Sequence, residues 1–404
     1  MRSSQERLGI NVIGDWSSTT GLAQAGRRLA HALLRRGVAL SCTTMATGAP
    51  TDDTLISGDL LPLMGPPTWP IDLWTLNINE FAMLGLETSA LGAPRHRIAT
   101  WYWELPTVPR SLRGQFDRVD EIWVASSFVR QSFLRYTRRP IHIVPTVVPR
   151  FELSANRLDV RAQLGVPSDA VMFLFTFDFN SSVARKNPFG VIEAFAKAFP
   201  AGEEQAVLVI KTMNLGHAPK FETDLRRALE HVKGRLVPGF LPEQDLADLF
   251  HACDVYVSTH RSEGFGLGMA EAMALGKPVI ATWYSGNCDF MNSLNSCPLG
   301  YRLRTVTARD HDYQMSDGDV YVEGAVWAEP EIGQAAQWMR LLASSETIRQ
   351  RIGVEAARTM REGFSEAAVG RIAEERLRAS ASSTSEPRSH RVTRLAREEV
   401  AGGI

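Results

Sequence analysis

Short apolar runs alternate with amphipathic helical stretches along almost the whole chain, and this rhythm lapses near residue 148 and restarts near residue 171. A strand-length run followed by a one-faced helix buries both elements most simply in βαβ units around a parallel sheet. Two rhythms therefore predict two sheets. In the first half, residues 8–13 read as a strand, and Leu22, Ala25, Leu29, Ala32 and Leu33 share one face of the following helix, which Gly37 ends. Further strands are predicted over 72–76, 97–102, 121–125 and 142–148, and helices over 109–116 and 127–136.

Residues 148–157 carry Pro149 and no clear period, and read as a link. In the second half, strands are predicted over 171–177, 206–211, 235–238, 254–258 and 278–281. Helices are predicted over 188–199, 219–233, 243–252 and 267–275, the first opened by Asn187 as cap and Pro188 at its first position. Late helices cover 330–361 and 366–378, and the Ser- and Arg-rich tail from Ser380 is expected to be disordered. The chain has 404 residues, more than one ordinary core holds. The expected division is 1–150, 151–363, a separate helix over 364–379 and a tail over 380–404.

The formal net charge of -1 gives no global field to attract nucleic acid, which is not expected as a partner. Cys42, Cys253, Cys288 and Cys297 form no Cys-x-x-Cys pair and have no histidine at zinc-ligand spacing, so a reducing compartment fits. The first residues lack the apolar core of a signal peptide, and no apolar run approaches the roughly 20 residues of a membrane span. A cytoplasmic protein, at most peripheral to a membrane, is expected. Arg27, Arg28 and Arg35 share the polar side of the first helix, as a solvated face or as one that meets anionic lipid. Asp310-x-Asp312 and Asp317-x-Asp319 read as solvated turns, and no metal is expected.

The stretch SEGFGLGMAEAMALGKPVIAT, residues 262–282, carries the chemistry. It follows a predicted strand, so its loop lies at a strand's C-terminal end, where ligands bind doubly wound sheets. Gly264, Gly266 and Gly268 lead into a helix whose first N–H groups are unpaired and partly positive, a ready diphosphate site. Glu263 precedes the glycines, and Glu271, one turn into the helix, leans back toward the loop. Two carboxylates beside a diphosphate cradle suit a ligand with a polyol on each side, one ribose and one sugar.

Glu263 and Glu271 form the Glu-x7-Glu pattern of retaining family 4 glycosyltransferases, and residues 260–291 resemble that family's sugar-donor site over their full length. The resemblance extends to FDFNSSVARKNPFGVIEAFAKAF (177–199) and GAVWAEPEIGQAAQWMR (324–340), and is thinner in the first half. It implies the GT-B fold: two Rossmann-like doubly wound α/β domains facing across a cleft, with a C-terminal helix crossing back to the first. It implies that Glu263 hydrogen-bonds the donor sugar, that Glu271 holds the ribose, that the backbone at Phe265, Gly266 and Leu267 receives phosphates, and that Lys186 binds the diphosphate. The family's arginine five residues before that lysine is Ser181 here; Arg185 either supplies the second cation or is a solvated loop charge.

The loop after the first strand, GDWSSTTGLAQAGRRLAHALL (14–34), resembles the first glycine-containing loop of that fold, with Gly21 near the donor phosphate and Thr20 as cap; a plain strand-to-helix turn is the other reading. RIATWYWELPTVP (97–109) resembles a segment of a bacterial branch. Trp101, Tyr102 and Trp103 suit an acceptor wall, with at least one tryptophan in the core, and Glu104 is either an acceptor-side group or a cap before Pro106. The implied activity is retaining transfer of a hexosyl unit from a GDP- or UDP-sugar to a glycan or lipid-linked acceptor in cell-surface polysaccharide synthesis, without a cofactor. A GT-B epimerase or hydrolase, or a non-catalytic sugar-nucleotide binder, is the alternative. Base, sugar, acceptor and oligomeric state are not legible.

Overall fold

The computed structural model describes residues 8–84, 95–200, 205–216, 218–307, 310 and 324–384. Its first half holds β1 (Gly9–Gly14), α1 (Gly21–Arg35), β2 (Ala39–Thr44), β3 (Ile71–Trp74), α2 (Ile78–Met83), β4 (His96–Trp101), α3 (Arg110–Arg113), β5 (Glu121–Val124), α4 (Ser127–Phe133) and β6 (Ile141–Ile143). The six strands form one sheet in the order β2-β1-β3-β4-β5-β6, and β1 pairs in parallel with both β2 and β3. β2, in the polar-looking run ALSCTT, went unread in the sequence, and β6 is shorter than expected.

The second half runs α5 (Arg157–Gln163), β7 (Val171–Asp178), α6 (Val183–Lys186), α7 (Pro188–Ala198), β8 (Ala206–Met213), α8 (Pro219–His231), β9 (Arg235–Pro238), α9 (Glu243–Ala252), β10 (Val255–Ser258), α10 (Leu267–Ala274) and β11 (Val279–Thr282). Then come β12 (Cys297–Leu299), β13 (Tyr301–Thr305), β14 (Val326–Pro330), α11 (Ile332–Ser344), α12 (Glu346–Gly363) and α13 (Glu366–Thr384). The second sheet has the order β12-β11-β10-β7-β8-β9, and β13 and β14 make a separate antiparallel ribbon.

β7 explains why the second sheet is covered on both faces. Phe173, Phe175 and Phe177 enter one core with residues of α7, α8 and α11, while Met172 and Leu174 enter another with residues of α9, α10 and α12. Alternate residues of a strand point to opposite faces, so an unbroken apolar run marks a strand buried twice. The predicted single helix over 330–361 is two helices. Ser345 breaks it, because its hydroxyl accepts from the Ile348 N–H and caps α12.

The chain divides into two compact units. One comprises Met1–Trp101, Gln115–Trp123 and Glu366–Ile404, and the other Tyr102–Gly114 and Val124–Ser365. The sequence division set a boundary at 150 and a separate helix over 364–379; here residues 102–114 and 124–365 group together, and the segment from Glu366 groups with the first unit. Within the first unit, α13 packs on α1. Gly370 allows close approach, since a Cβ there would stand 2.9 Å from the Ala32 carbonyl oxygen. Arg35 and Arg36 pair with Glu366 and Glu374 at 2.6 and 2.7 Å.

Two expectations are corrected by this unit. Helix α13 continues through Ser380, which is buried and donates to Glu121 Oε2 at 2.6 Å, so the expected disordered tail does not begin there. The residues beyond 384 lie outside the described ones. The three arginines of α1 do not make a free basic face either. Arg28 is buried, Arg27 donates to the carbonyls of Trp16 and Ser18, and Arg35 pairs with Glu366. Among the described residues, no helix is long and apolar enough to cross a membrane.

Candidate functional site

In the second sheet the chain runs outward from β7 to β8 and β9 on one side, and places β10, β11 and β12 on the other. The order reverses between β7 and β10, and open α/β sheets bind ligands just beyond such a point. Lys186 lies in the connection after β7, and Glu263 in the connection after β10. The topology thus brings the two together although 77 positions separate them. The Lys186 Nζ donates to Glu263 Oε1 at 2.6 Å.

Arg185 completes this cluster. Its side chain is buried, its Nη1 lies 3.1 Å from Glu263 Oε2, and its Nη2 lies 3.6 Å from Glu104 Oε1. The same guanidinium donates to the Ser262 carbonyl at 2.8 Å and to the Ser181 hydroxyl at 2.6 Å. Arg185 is therefore no solvated loop charge, and Ser181, at the position of the missing arginine, anchors it. Burial alone would raise the Glu263 pKa, but Lys186 first and Arg185 next hold it down at about 2. Glu263 is consequently an anion at neutral pH and accepts hydrogen bonds.

The glycine loop has the geometry its spacing predicted. Gly266 caps α10 at φ 97° and ψ 53°, a left-handed conformation costly to other residues. No side chain caps this helix start, and the leading N–H groups of a helix have no partner within it. The Phe265 ring packs against Phe290 and Phe364 with centroids 5.2 and 5.9 Å apart, which leaves only its backbone for a ligand. Leu267 opens α10. Glu271 is buried on the same helix, and its charge and that of Glu263 both help raise the pKa of the buried Tyr256 phenol, after the larger effect of desolvation. The two carboxylates thus share a neighbour, and Tyr256 is fixed by a 2.9 Å hydrogen bond with the Thr176 hydroxyl.

Sequence reasoning missed the residues that hold this loop. His260 is fully buried between the Ser258 hydroxyl and Asn287 Oδ1, at 3.0 Å from each. Burial lowers its pKa to about 4, so the ring is neutral at pH 7. Ser285 accepts from the Glu263 N–H at 2.7 Å, and the Gly286 N–H donates to the Glu263 carbonyl at 2.9 Å. A Cβ at Gly286 would stand 2.2 Å from the Gly264 carbonyl oxygen, so only glycine lets the two loops touch. Asn187 holds φ 54°, and its side chain and carbonyl bond reciprocally with Thr259. Asn187 was read from the sequence only as the cap of α7, and the others carry no periodic signal of their own; each takes a partner from another segment.

Other expected residues stand as follows. Glu104 joins the cluster through Arg185, and its carbonyl accepts from the Ser262 hydroxyl. Trp101 and Trp103 are both buried, so neither forms an exposed acceptor wall, and Tyr102 is half-buried with its hydroxyl 3.1 Å from Thr146 Oγ1. Thr20 caps α1 by accepting from Ala23, and Gly21, the next residue, is exposed with open space where a Cβ would be. Gly21 belongs to the first unit. Asp310 pairs with Arg304 at 2.8 Å, whereas Asp312, Asp317 and Asp319 lie outside the described residues. Among the described residues there is no cluster of three or more metal-ligating side chains.

Two parallel six-stranded sheets with flanking helices define the class of this protein as the GT-B fold. A solved structure of Anabaena Alr3699/HepE in complex with UDP and glucose shares it, with a TM-score of 0.65 at 16% identity, covering 92% of this chain and 100% of that one. Residues 158–296, which contain Lys186, Glu263 and Glu271, match the family of glycosyl transferases group 1. Among relatives, it is 29% identical over 244 residues to a D-inositol 3-phosphate glycosyltransferase of Xylanimonas cellulosilytica, covering 56% of this chain and 51% of the relative. It is 26% identical over 180 residues to the serotype-specific mannosyltransferase WbdA of Escherichia coli, covering 42% of this chain and 21% of the relative. The chain thus spans about half or less of these curated relatives.

Proposed function

We propose that this chain is a retaining glycosyltransferase that moves a hexosyl group from a GDP- or UDP-sugar to a glycan or lipid-linked acceptor. The observation that carries the reading is the cluster of Glu263, Lys186 and Arg185 beside the uncapped start of α10. A departing nucleoside diphosphate gains negative charge, and fixed cations and N–H groups aimed at it lower the barrier. Lys186 and Arg185, with the backbone at Phe265, Gly266 and Leu267, supply them. Glu263, whose pKa is held down at about 2, is ionised at neutral pH; it accepts hydrogen bonds from hydroxyls of the sugar and is no proton donor there. Glu271 receives the ribose hydroxyls.

With its carboxyl pKa held down at about 2, Glu263 is a weak base, and both His260 ring nitrogens are engaged, so the leaving phosphate is assigned as the base that takes the acceptor's proton. Attack from the same face as departure then gives retention. Glu104, tied to Arg185, is assigned to the acceptor side. The mannosyltransferase relative and the UDP- and glucose-bound neighbour keep both GDP-mannose and UDP-glucose in the range of sugar donors. Synthesis of a cell-surface polysaccharide at the cytoplasmic side is the setting that fits.

The test is a thermal-shift screen of nucleoside-diphosphate sugars, followed by transfer assays with glycan and lipid-linked acceptors. A ligand that binds only the folded state raises its melting temperature. Stabilisation by one class of nucleotide sugar, with the donor's anomeric configuration kept in the product, supports the reading. Sugar release to water alone, with every acceptor ignored, would make the chain a hydrolase; no stabilisation by any nucleotide sugar would sink the assignment.

A further inference from the structure

The α6 turn that carries Arg185 and Lys186 is four residues long, too short to hold its own position. Its last carbonyls lack partners within the helix. Arg261, two residues before Glu263, supplies them: its backbone N–H donates to the Arg185 carbonyl at 2.7 Å, and its Nη1 donates to the Ala184 carbonyl. The rest of the guanidinium is gripped by the ribbon. Nε and Nη2 donate to the two oxygens of Glu329 at 2.8 and 2.9 Å, and the Arg261 carbonyl accepts from the Ala328 N–H at 2.9 Å. Its Cζ lies 5.7 Å from the centre of the buried Trp327 ring, and that of Arg304 lies 5.3 Å from it.

We infer that Arg261 is a positioning residue that sets the separation between the Lys186–Arg185 cations and Glu263. This rests on the transferase reading of the same cluster. One side chain caps the helix that bears the cations, while its own backbone leads directly into the loop that bears the carboxylate. The ribbon residue Glu329 fixes the direction of the guanidinium through a two-pronged contact. A lysine cannot reproduce this, because an ammonium is a point charge and a guanidinium a planar fork. Arg304 is the natural control. It shares Glu329 and Trp327 and pairs with Asp310, at 2.8 Å from each carboxylate, on the ribbon side.

The experiment compares wild type, Arg261→Lys, Arg261→Met and Arg304→Lys in release of nucleoside diphosphate from whichever of UDP-glucose and GDP-mannose the wild type turns over. Misplacing groups that act on the transition state lowers kcat more than it raises KM. Both Arg261 variants are expected to lose about tenfold or more in kcat, with the donor KM within about threefold. Arg304→Lys is expected to stay within about threefold on both. Melting curves accompany each variant, so that Arg261→Lys, the gentler change, reports on a folded protein. An Arg261→Lys enzyme with wild-type kcat, or an Arg304→Lys enzyme that falls equally far, overturns the inference alone. A wild-type chain that turns over no nucleotide sugar overturns the transferase reading and this inference with it.

Discussion

The Lys186 ammonium and the Glu263 carboxylate meet at 2.6 Å, and the carboxylate's other oxygen lies 3.1 Å from Arg185. Removing one partner from such a largely buried cluster leaves the others uncompensated. Glu263→Gln is expected to lower transfer by about a hundredfold, the scale of losing one aimed charge in a water-poor site. Nucleotide affinity should change far less. Steady-state kinetics beside calorimetric titration with the free nucleoside diphosphate separate the two quantities.

Glu271 has the opposite signature. On the proposed reading it holds the ribose, so Glu271→Ala should weaken nucleoside diphosphate binding by about 1–3 kcal/mol, the scale of a lost charge-assisted hydrogen bond. Calorimetry on the variant checks this. If Glu263 and Glu271 variants both bind and react as the wild type does, the site assignment is lost.

The same cluster sets a dependence of stability on pH. His260 has a pKa lowered from 6.5 to about 4 by burial, so the unfolded chain binds its proton first. Its contribution is present above pH 6.5 and is lost as pH falls from there through about 4. Glu263 is lowered from 4.5 to about 2, so its contribution is present above pH 4.5 and is lost as pH falls through about 2. Urea unfolding should therefore show a decline in two overlapping windows. His260→Gln should flatten the upper one and Glu263→Gln the lower; unchanged slopes would contradict the burial argument.

Gly286→Ala should destabilise the second unit without touching any charged group. Its Cβ would stand 2.2 Å from the Gly264 carbonyl oxygen and 2.8 Å from the Phe265 nitrogen, both backbone atoms. Overpacking of this kind costs about 1–3 kcal/mol. The displaced loop carries Glu263, so the variant should lose activity at temperatures where it remains folded. Differential scanning calorimetry and a rate measurement well below the transition test both halves.

How much of this was legible in the sequence depends on how local the signal was. The β10–α10 segment was read well because its glycines, its carboxylates and its helix period lie within a few residues of one another. Helix α9 was read to the residue, Glu243–Ala252. The Lys186–Glu263 contact was legible only through family resemblance, since no local rule links positions so far apart. Arg261 left no trace, because its meaning lies in Ala184 and Glu329. Trp101 and Trp103 misled through chemistry: rings that suit sugars also suit a core, and the Trp103 indole N–H is satisfied by the Thr107 carbonyl at 2.9 Å. Around Ser380, composition suggested a tail, but a carboxylate 259 positions away, in Glu121, gives its hydroxyl a buried partner and extends the helix.

The packing of α13 on α1 has a consequence for synthesis on the ribosome. Every element of the second unit can emerge and close its own core while α1, made long before, still lacks its cover. Only when residues 366–384 leave the exit tunnel does that surface find Gly370, Glu366 and Glu374. The half of the chain translated first is thus the half completed last, and during that wait it is the natural client for a chaperone.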